Sequence, residues 1–199
     1  MSVSRTRILV AAAATVLLAA GCSDDSTATH TTEHSTTTTT SAAASTDVND
    51  ADVSFLQMMY PHHAQAVEMA KMVPSHTQNQ QLIALAAQVE KAQAPEMQQI
   101  TDLLADFGEP APSATEGHGG HDMPGMMTDA QMSSLQAANG ADFDRQWLEM
   151  MIAHHEGAVG MAQTELNGGV NPPSRQLATK IIADQAAEIA TMRGMLAQN

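Results

Sequence analysis

Apolar positions between residues 50 and 197 recur at the three-and-four spacing of an α-helix, and no alternating strand pattern of useful length interrupts them. One stripe runs through Phe55, Met59, His62, Ala66 and Met69, and another through Trp147, Met151, His154, Ala158 and Met161. The two are one stripe written twice. Met58-Met59-Tyr60-Pro61-His62-His63-Ala64-Gln65-Ala66-Val67-Glu68-Met69-Ala70 returns 92 residues later as Met150-Met151-Ile152-Ala153-His154-His155-Glu156-Gly157-Ala158-Val159-Gly160-Met161-Ala162, with eight of thirteen positions identical. The same offset pairs Leu85 with Leu177, Gln93 with Gln185, Glu96 with Glu188 and Leu104 with Leu196, without a gap. Register kept over that distance marks a duplicated unit.

Local signals divide each unit into two helices. The first is predicted from about Asp50 to Val73, with a break at Pro74, and the second from about Thr77 to Ala105. In the later unit Asp142 is placed to cap a helix that stops at Asn167-Gly168-Gly169. Asn171-Pro172 then starts another, with Asn as cap and Pro in the first turn. Pro61 and Pro95 fall inside the first two helices, where each removes a backbone hydrogen bond and predicts a kink. Thr128 with Gln131 reads as a capping box for a short helix ending at Asn139-Gly140. Two helical hairpins (repeat 1, 50–105; repeat 2, 142–197) joined by a connection (106–141) predict an all-α, ferritin-like four-helix bundle over 50–199.

Ahead of that domain the pattern changes. Arg5 and Arg7 precede an apolar run from Ile8 to Ala20, too short to span a bilayer as a permanent helix. Leu18-Ala19-Ala20-Gly21-Cys22 resembles a lipobox, although Ala19 stands where Leu or Val is more usual. Residues 1–21 therefore read as a signal peptide and Cys22 as a lipidated anchor at the outer face of the cytoplasmic membrane or cell envelope. Residues 22–49, rich in Ser and Thr, read as a tether. Cys22 is the only cysteine, so acylation leaves no thiol for disulfides, zinc ribbons or a nucleophile. Removing the signal takes away two of the eight basic residues, leaving six against 22 acidic ones and a formal charge of −16. That balance offers nothing to a phosphate backbone, so nucleic acid is not an expected partner; it favours small cations.

Candidate chemistry lies in the repeated motif. His62 and His154 fall on the core-facing stripes, and His63 and His155 are turned from them by roughly 100°. Met58 and Met59, like Met150 and Met151, precede the histidines by one turn, within reach of the imidazoles. Antiparallel packing of the first and third helices about a pseudo-twofold axis brings all eight side chains together. Imidazole with thioether and no thiolate suits copper, since thioether prefers Cu(I) and imidazole holds both Cu(I) and Cu(II). Zinc gains little from Met. A di-iron centre of the ferritin type needs Glu-x-x-His, which the chain lacks. The connection adds His118, His121, Met123, Met126 and Met127 in a glycine-rich run that resembles the Met-motif loops of copper-handling proteins.

Plainer roles compete with these. Met at helical spacing serves as core filler, and a histidine on an apolar face serves as a hydrogen-bonded core residue. Gln93 with Glu96, and Gln185 with Glu188, lie on otherwise apolar stripes and either orient the imidazoles or cap another buried polar group. His30, His34 and His76 read as solvated.

At Met58 to His63, at Met150 to Ala158 and at Gln185-Ala186-Ala187-Glu188-Ile189 leading to Met192, the chain resembles the bacterial family called domain of unknown function 305. The resemblance covers roughly residues 50 to 197. It implies an exported, ferritin-like bundle, and some members of that family are linked to copper binding and tolerance. Three functions follow from the sequence. The first is a copper-binding envelope lipoprotein that buffers copper or exchanges it with a donor or acceptor protein. The second is a copper-dependent oxidase or reductase, for which no acid–base pair or nucleophile is found, and the third is a structural lipoprotein whose His and Met only pack. Replacing Cys22 by Ser is expected to move the protein from membranes to the soluble fraction with its melting transition unchanged. Retention on membranes after a salt wash would show that Cys22 is not the anchor.

Overall fold

Asn49 opens the first helix as the hydrophobic pattern requires: its side chain accepts from the backbone of Ala51 and Asp52, and Asp52 returns a bond to the Asn49 N–H at 2.8 Å. In this computed structural model, which describes residues 47–110, 112 and 123–198, five helices follow. They are α1 (Asp50–His76), α2 (Gln80–Asp106), α3 (Asp129–Ala137), α4 (Gly140–Gly168) and α5 (Pro172–Leu196). Among the described residues there is no strand, and no helix is long and apolar enough to cross a membrane. The signal and tether with Cys22, and His118 and His121 of the connection, lie outside the described residues.

Several boundaries differ from the sequence pattern for local reasons. Helix α1 does not break at Pro74 but runs on to His76. A proline this close to a C-terminus removes one donor, and the Ser75 hydroxyl donates to the Met72 carbonyl at 2.9 Å. His76 is half-buried rather than solvated: its ring stacks on Phe143 at 4.8 Å, and its Nε2 lies 3.1 Å from the Gln136 carbonyl. Helix α2 starts three residues later than expected because Asn79 supplies the cap. Helix α4 starts at Gly140, which places Asp142 in the first turn, where its charge favours the helix dipole, instead of at the cap. The capping box at Thr128 and the Asn171-Pro172 start form as expected. Helices α1 and α2 continue through Pro61 and Pro95.

The four long helices make the expected bundle of two hairpins, α1 with α2 and α4 with α5, and α1 packs on α4 as the central pair. That pair is antiparallel. Asn49 donates to the Gly168 carbonyl at one end, and Trp147 Nε1 donates to the Met69 carbonyl at 2.9 Å toward the other. The duplication also shows in the turns. Asp52 accepts from the backbone of Val170 and Asn171 beyond α4, while Asp144, 92 positions on, accepts from Asn79 Nδ2 beyond α1.

The apolar core is in two lobes. One gathers Phe55, Leu56, Met59, Ile100, Leu104, Ala158, Ala162, Leu177 and Ile181. The other gathers Ala66, Met69, Val73, Leu82, Val89, Trp147, Met151, Ile189 and Met192. On each long helix the gap between lobes holds the polar residues of the repeat: His62 and His63, Gln93 and Glu96, His154 and His155, Gln185 and Glu188. All but Glu188, which is partly exposed, are buried.

One further buried acid sits at the end of α4. Glu165 is 1 % exposed, packs against Gly169 and Asp52, and finds no hydrogen-bond partner of good geometry for either oxygen. Burial, then Asp52, pushes its carboxyl up to about 7. A raised acid favours folding while protonated and loses that contribution as pH rises from the unfolded value near 4.5 through 7. Glu165→Gln is therefore expected to raise stability at pH 8 by roughly 1–2 kcal/mol, with little gain at pH 4. Urea unfolding at the two pH values checks this, and a gain of equal size at both would remove ionisation from the account.

Candidate metal centre

Antiparallel packing brings the midpoints of α1 and α4 together, and there His62 and His154 meet with ring centroids 3.8 Å apart at an interplanar angle of 39°. His155 follows at 6.4 Å from His154. All four histidines are at most 1 % exposed. None of the four Nδ1 atoms has a hydrogen-bond partner, and His154 lacks one at Nε2 as well.

The opposite ring nitrogens are held. His63 Nε2 lies 2.8 Å from Glu96 Oε2, and His155 Nε2 lies 2.6 Å from Glu188 Oε2, the same bond in each repeat. His62 Nε2 donates to the carbonyl of Pro124 at 3.1 Å. A carbonyl only accepts, so the His62 proton is on Nε2 when the ring is neutral, which leaves a lone pair on Nδ1. A carboxylate likewise accepts from His63 and His155, so whenever those rings are neutral their Nδ1 atoms also present lone pairs to the interior. Carboxylate or carbonyl on one nitrogen and a free lone pair on the other is the arrangement that fixes a histidine for metal ligation.

Charge on His62 and His154 is disfavoured. Burial, followed by the neighbouring His63, takes the His62 imidazolium down to about 3 even though the Pro124 carbonyl acts the other way. Burial and the adjacent His62 hold His154 well below the ordinary histidine range. Both rings are neutral at physiological pH, as metal binding requires.

The segment before α3 closes this layer on one side. Gln65 clasps it by donating to the Met127 carbonyl at 2.9 Å and accepting from the Met127 N–H at 2.7 Å. Its repeat counterpart is Gly157, where a Cβ would collide with the Pro124 carbonyl. Gly125, with φ +80°, passes against the Ala153 carbonyl in return. One connection cannot serve both repeats, so His62 receives a carbonyl and His154 does not.

The methionines divide. Met59 and Met151 are fully buried, each in a different lobe on either side of the histidines. Met58 is 39 % exposed and lines a cavity of about 420 Å³ with Phe55, Pro124, Met161 and Glu165. Met150 is half-buried against the other lobe. Met127 is buried, and Met123 and Met126 are half-buried. The structure thus gathers four imidazoles and two carboxylates in one layer, with thioethers above, below and at its edge. Among the described residues no three His, Cys, Asp or Glu side chains already stand in a ligating arrangement. His62 and His154 lie ring against ring, and an ion entering between them requires the rings to turn.

Two participants escaped the sequence pattern. Pro124 acts through its backbone carbonyl, which carries no side-chain signal. Lys180 donates to Glu96 Oε1 at 2.8 Å and has no lysine counterpart in the first repeat.

The family model described as Domain of unknown function (DUF305) matches residues 52–196, which include every element of this layer. The chain belongs to the DUF305 family. Solved structures of the family agree. A DUF305 fragment from Deinococcus radiodurans is 32% identical over 76% of this chain and 99% of its own, with a TM-score of 0.68. A DUF305 protein from Streptomyces coelicolor is 31% identical over 74% of this chain and 93% of its own, also at 0.68. CopM in its Cu(II)-bound form is 33% identical over 74% of this chain and 96% of its own, with a TM-score of 0.65, and CopM is similar in its Cu(I)-bound form as well. No curated protein matches the chain.

Depressed histidines have a measurable consequence in the metal-free protein. Their contribution to stability is complete above the unfolded value near 6.5 and is lost as pH falls toward the folded one, because only the unfolded chain takes the protons. Unfolding free energy is expected to decline below pH 6.5 by up to about 1.4 kcal/mol per pH unit for each of His62 and His154. His62→Gln and His154→Gln are expected to flatten that slope in denaturant titrations at pH 7.5, 6 and 5. An unaltered slope in the double variant would assign the acid sensitivity elsewhere.

Proposed function

We propose that this domain binds copper between α1 and α4 through His62, His63, His154 and His155, and that it buffers or hands on the ion without turnover. One observation carries the reading: four buried imidazoles present unpartnered Nδ1 atoms to one layer, three of them with Nε2 anchored. Buried nitrogens left without partners cost stability unless something fills them. Imidazole accepts both copper oxidation states, and the thioethers of Met58, Met59, Met150 and Met151 add the soft donors that favour Cu(I). The CopM structures in Cu(I)-, Cu(II)- and Ag-bound forms support the same ion class.

In this reading Met123, Met126 and Met127 carry Cu(I) toward the centre, with His118 and His121 of the same connection. Cys22 tethers the protein by lipid to the outer face of the membrane, where it meets a copper donor or acceptor protein. Turning of His62 away from the Pro124 carbonyl is the step that admits the ion, so the clasp on Gln65 governs access.

His62→Ala combined with His154→Ala is expected to lower copper affinity at least tenfold while the helical signal persists. Mass spectrometry of protein offered copper, zinc, nickel and iron together reads the metal. Quenching of Trp147, two turns or roughly 10 Å along α4 from His154, reads the site. Undiminished copper affinity with a lowered melting temperature would reduce the histidines to packing.

A further inference from the structure

The two carboxylate–histidine pairs look alike, but their surroundings carry different charge. Glu96 accepts from His63 Nε2 with one oxygen and from Lys180 Nζ at 2.8 Å with the other, and its side chain is 5 % exposed. Lys180 comes from the opposite hairpin and is also paired with Asp184. Glu188 accepts from His155 Nε2 and is 16 % exposed, and among the described residues it has no lysine or arginine partner. The position equivalent to Lys180 in the first repeat is Gln88, an exposed residue that shares a groove with Thr191, one turn beyond Glu188. The pseudo-twofold symmetry of the centre is thus broken by an ion pair, Lys180 against Glu96 and Asp184 on its far, half-exposed side, where the first repeat has Gln88 and Ala92.

We propose that Lys180 makes the two halves of the centre unequal in the ion charge they prefer, the His63 half favouring monovalent and the His155 half divalent copper. The inference rests on the copper reading given above. A carboxylate that accepts an imidazole N–H makes the other ring nitrogen a stronger donor and adds negative charge near the ion. A divalent ion gains twice as much from that charge as a monovalent one at the same place. The lysine on Glu96 Oε1 offsets part of this on the His63 side, because it stands nearer the centre than the half-exposed Asp184 that shares it. Among the described residues no lysine or arginine offsets it at Glu188. Lys180 touches no candidate ligand and acts through Glu96, so it is a positioning and charge-setting residue. The outcome is a centre whose two halves differ in the ion charge they favour, which lets the protein retain copper when its oxidation state changes.

The test uses the full chain at low salt, since Lys180 is half-exposed and its effect is screened. Cu(II) and Ag(I), a monovalent ion that does not change oxidation state, are titrated against competing chelators. Lys180→Gln is expected to raise Cu(II) affinity roughly threefold to tenfold and to move Ag(I) by less than twofold. Gln88→Lys, which places the missing charge beside Glu188, is expected to lower Cu(II) affinity by a similar factor. Lys180→Arg keeps the charge and should match the parent. Lys71→Gln removes a surface charge paired with Glu90 and should leave the Cu(II)-to-Ag(I) ratio unaltered. Electron paramagnetic resonance at half-stoichiometric Cu(II) should show one signal in the parent and two in Lys180→Gln. Equal shifts for both ions, or none, would overturn the role of Lys180 while copper binding stands. A parent protein that binds neither ion would overturn both proposals.

Discussion

Four imidazoles must be kept inside a helical bundle, with His62 and His154 held neutral by burial, and the arrangement of the protein follows from that demand. A buried polar nitrogen without a partner costs about 1–3 kcal/mol. The layer contains His62, His63, Gln93, His154 and His155, each with at least one such nitrogen, and Gln185 with an unpartnered amide oxygen. The apolar core is interrupted there and resumes above and below as two lobes, each large enough to hold its end of the bundle. The helix-cap latches at Asp52 and Asp144 add polar restraint at the ends, where turns bring backbone donors within reach. Most of the unpartnered groups thus lie at one level supported from both sides, with Asp144 and Glu165 as the exceptions toward the ends.

Duplication explains how such a layer is built from little information. A single hairpin with one His-His motif and one Gln-x-x-Glu motif supplies half the layer, and its copy supplies the rest. The departures from symmetry are correspondingly informative. At one place the repeat has Gln65 and at its counterpart Gly157, because one connection must be clasped by α1 and must pass close over α4. That same connection gives His62 a carbonyl and leaves His154 with none. At another place Lys180 answers Gln88 and neutralises one carboxylate of two.

Much of this was legible in the chain because periodicity and repetition are local signals. The 92-residue offset identified the hairpins, and the antiparallel meeting of His62 with His154 followed from it. Helix ends were less legible. Pro74 read as a stop, yet a proline within the last turn removes only one backbone bond, and α1 runs on to His76. The roles of Glu96 and Glu188 stayed open because axial counting along one helix does not fix the stagger between two. The hairpin places both acids level with the second histidine of each motif. Pro124 was illegible for a different reason: a main-chain acceptor belongs to every residue, so only the path of the connection reveals it. The convergence of thioethers is also more graded than spacing implied, since the rotation of about 100° between neighbouring helix residues carries Met59 and Met151 into the core and leaves Met58 at the surface.

The same energetic argument links the resting state to the ion. The metal-free layer keeps His62 and His154 neutral, and the lobes on either side compensate for nitrogens without partners. An ion that satisfies several Nδ1 atoms at once removes that cost, so part of its binding energy appears as folding stability. His62 has an alternative acceptor at Pro124, whereas His154 has none. Ligation by His154 therefore breaks no hydrogen bond through a ring nitrogen, while a turn of His62 gives one up. Under the proposed copper reading, His154 and His155 would be free to ligate as they stand once His62 turns from the Pro124 carbonyl to open the layer. The single connection between the repeats, which supplies that carbonyl, would then govern entry of the ion.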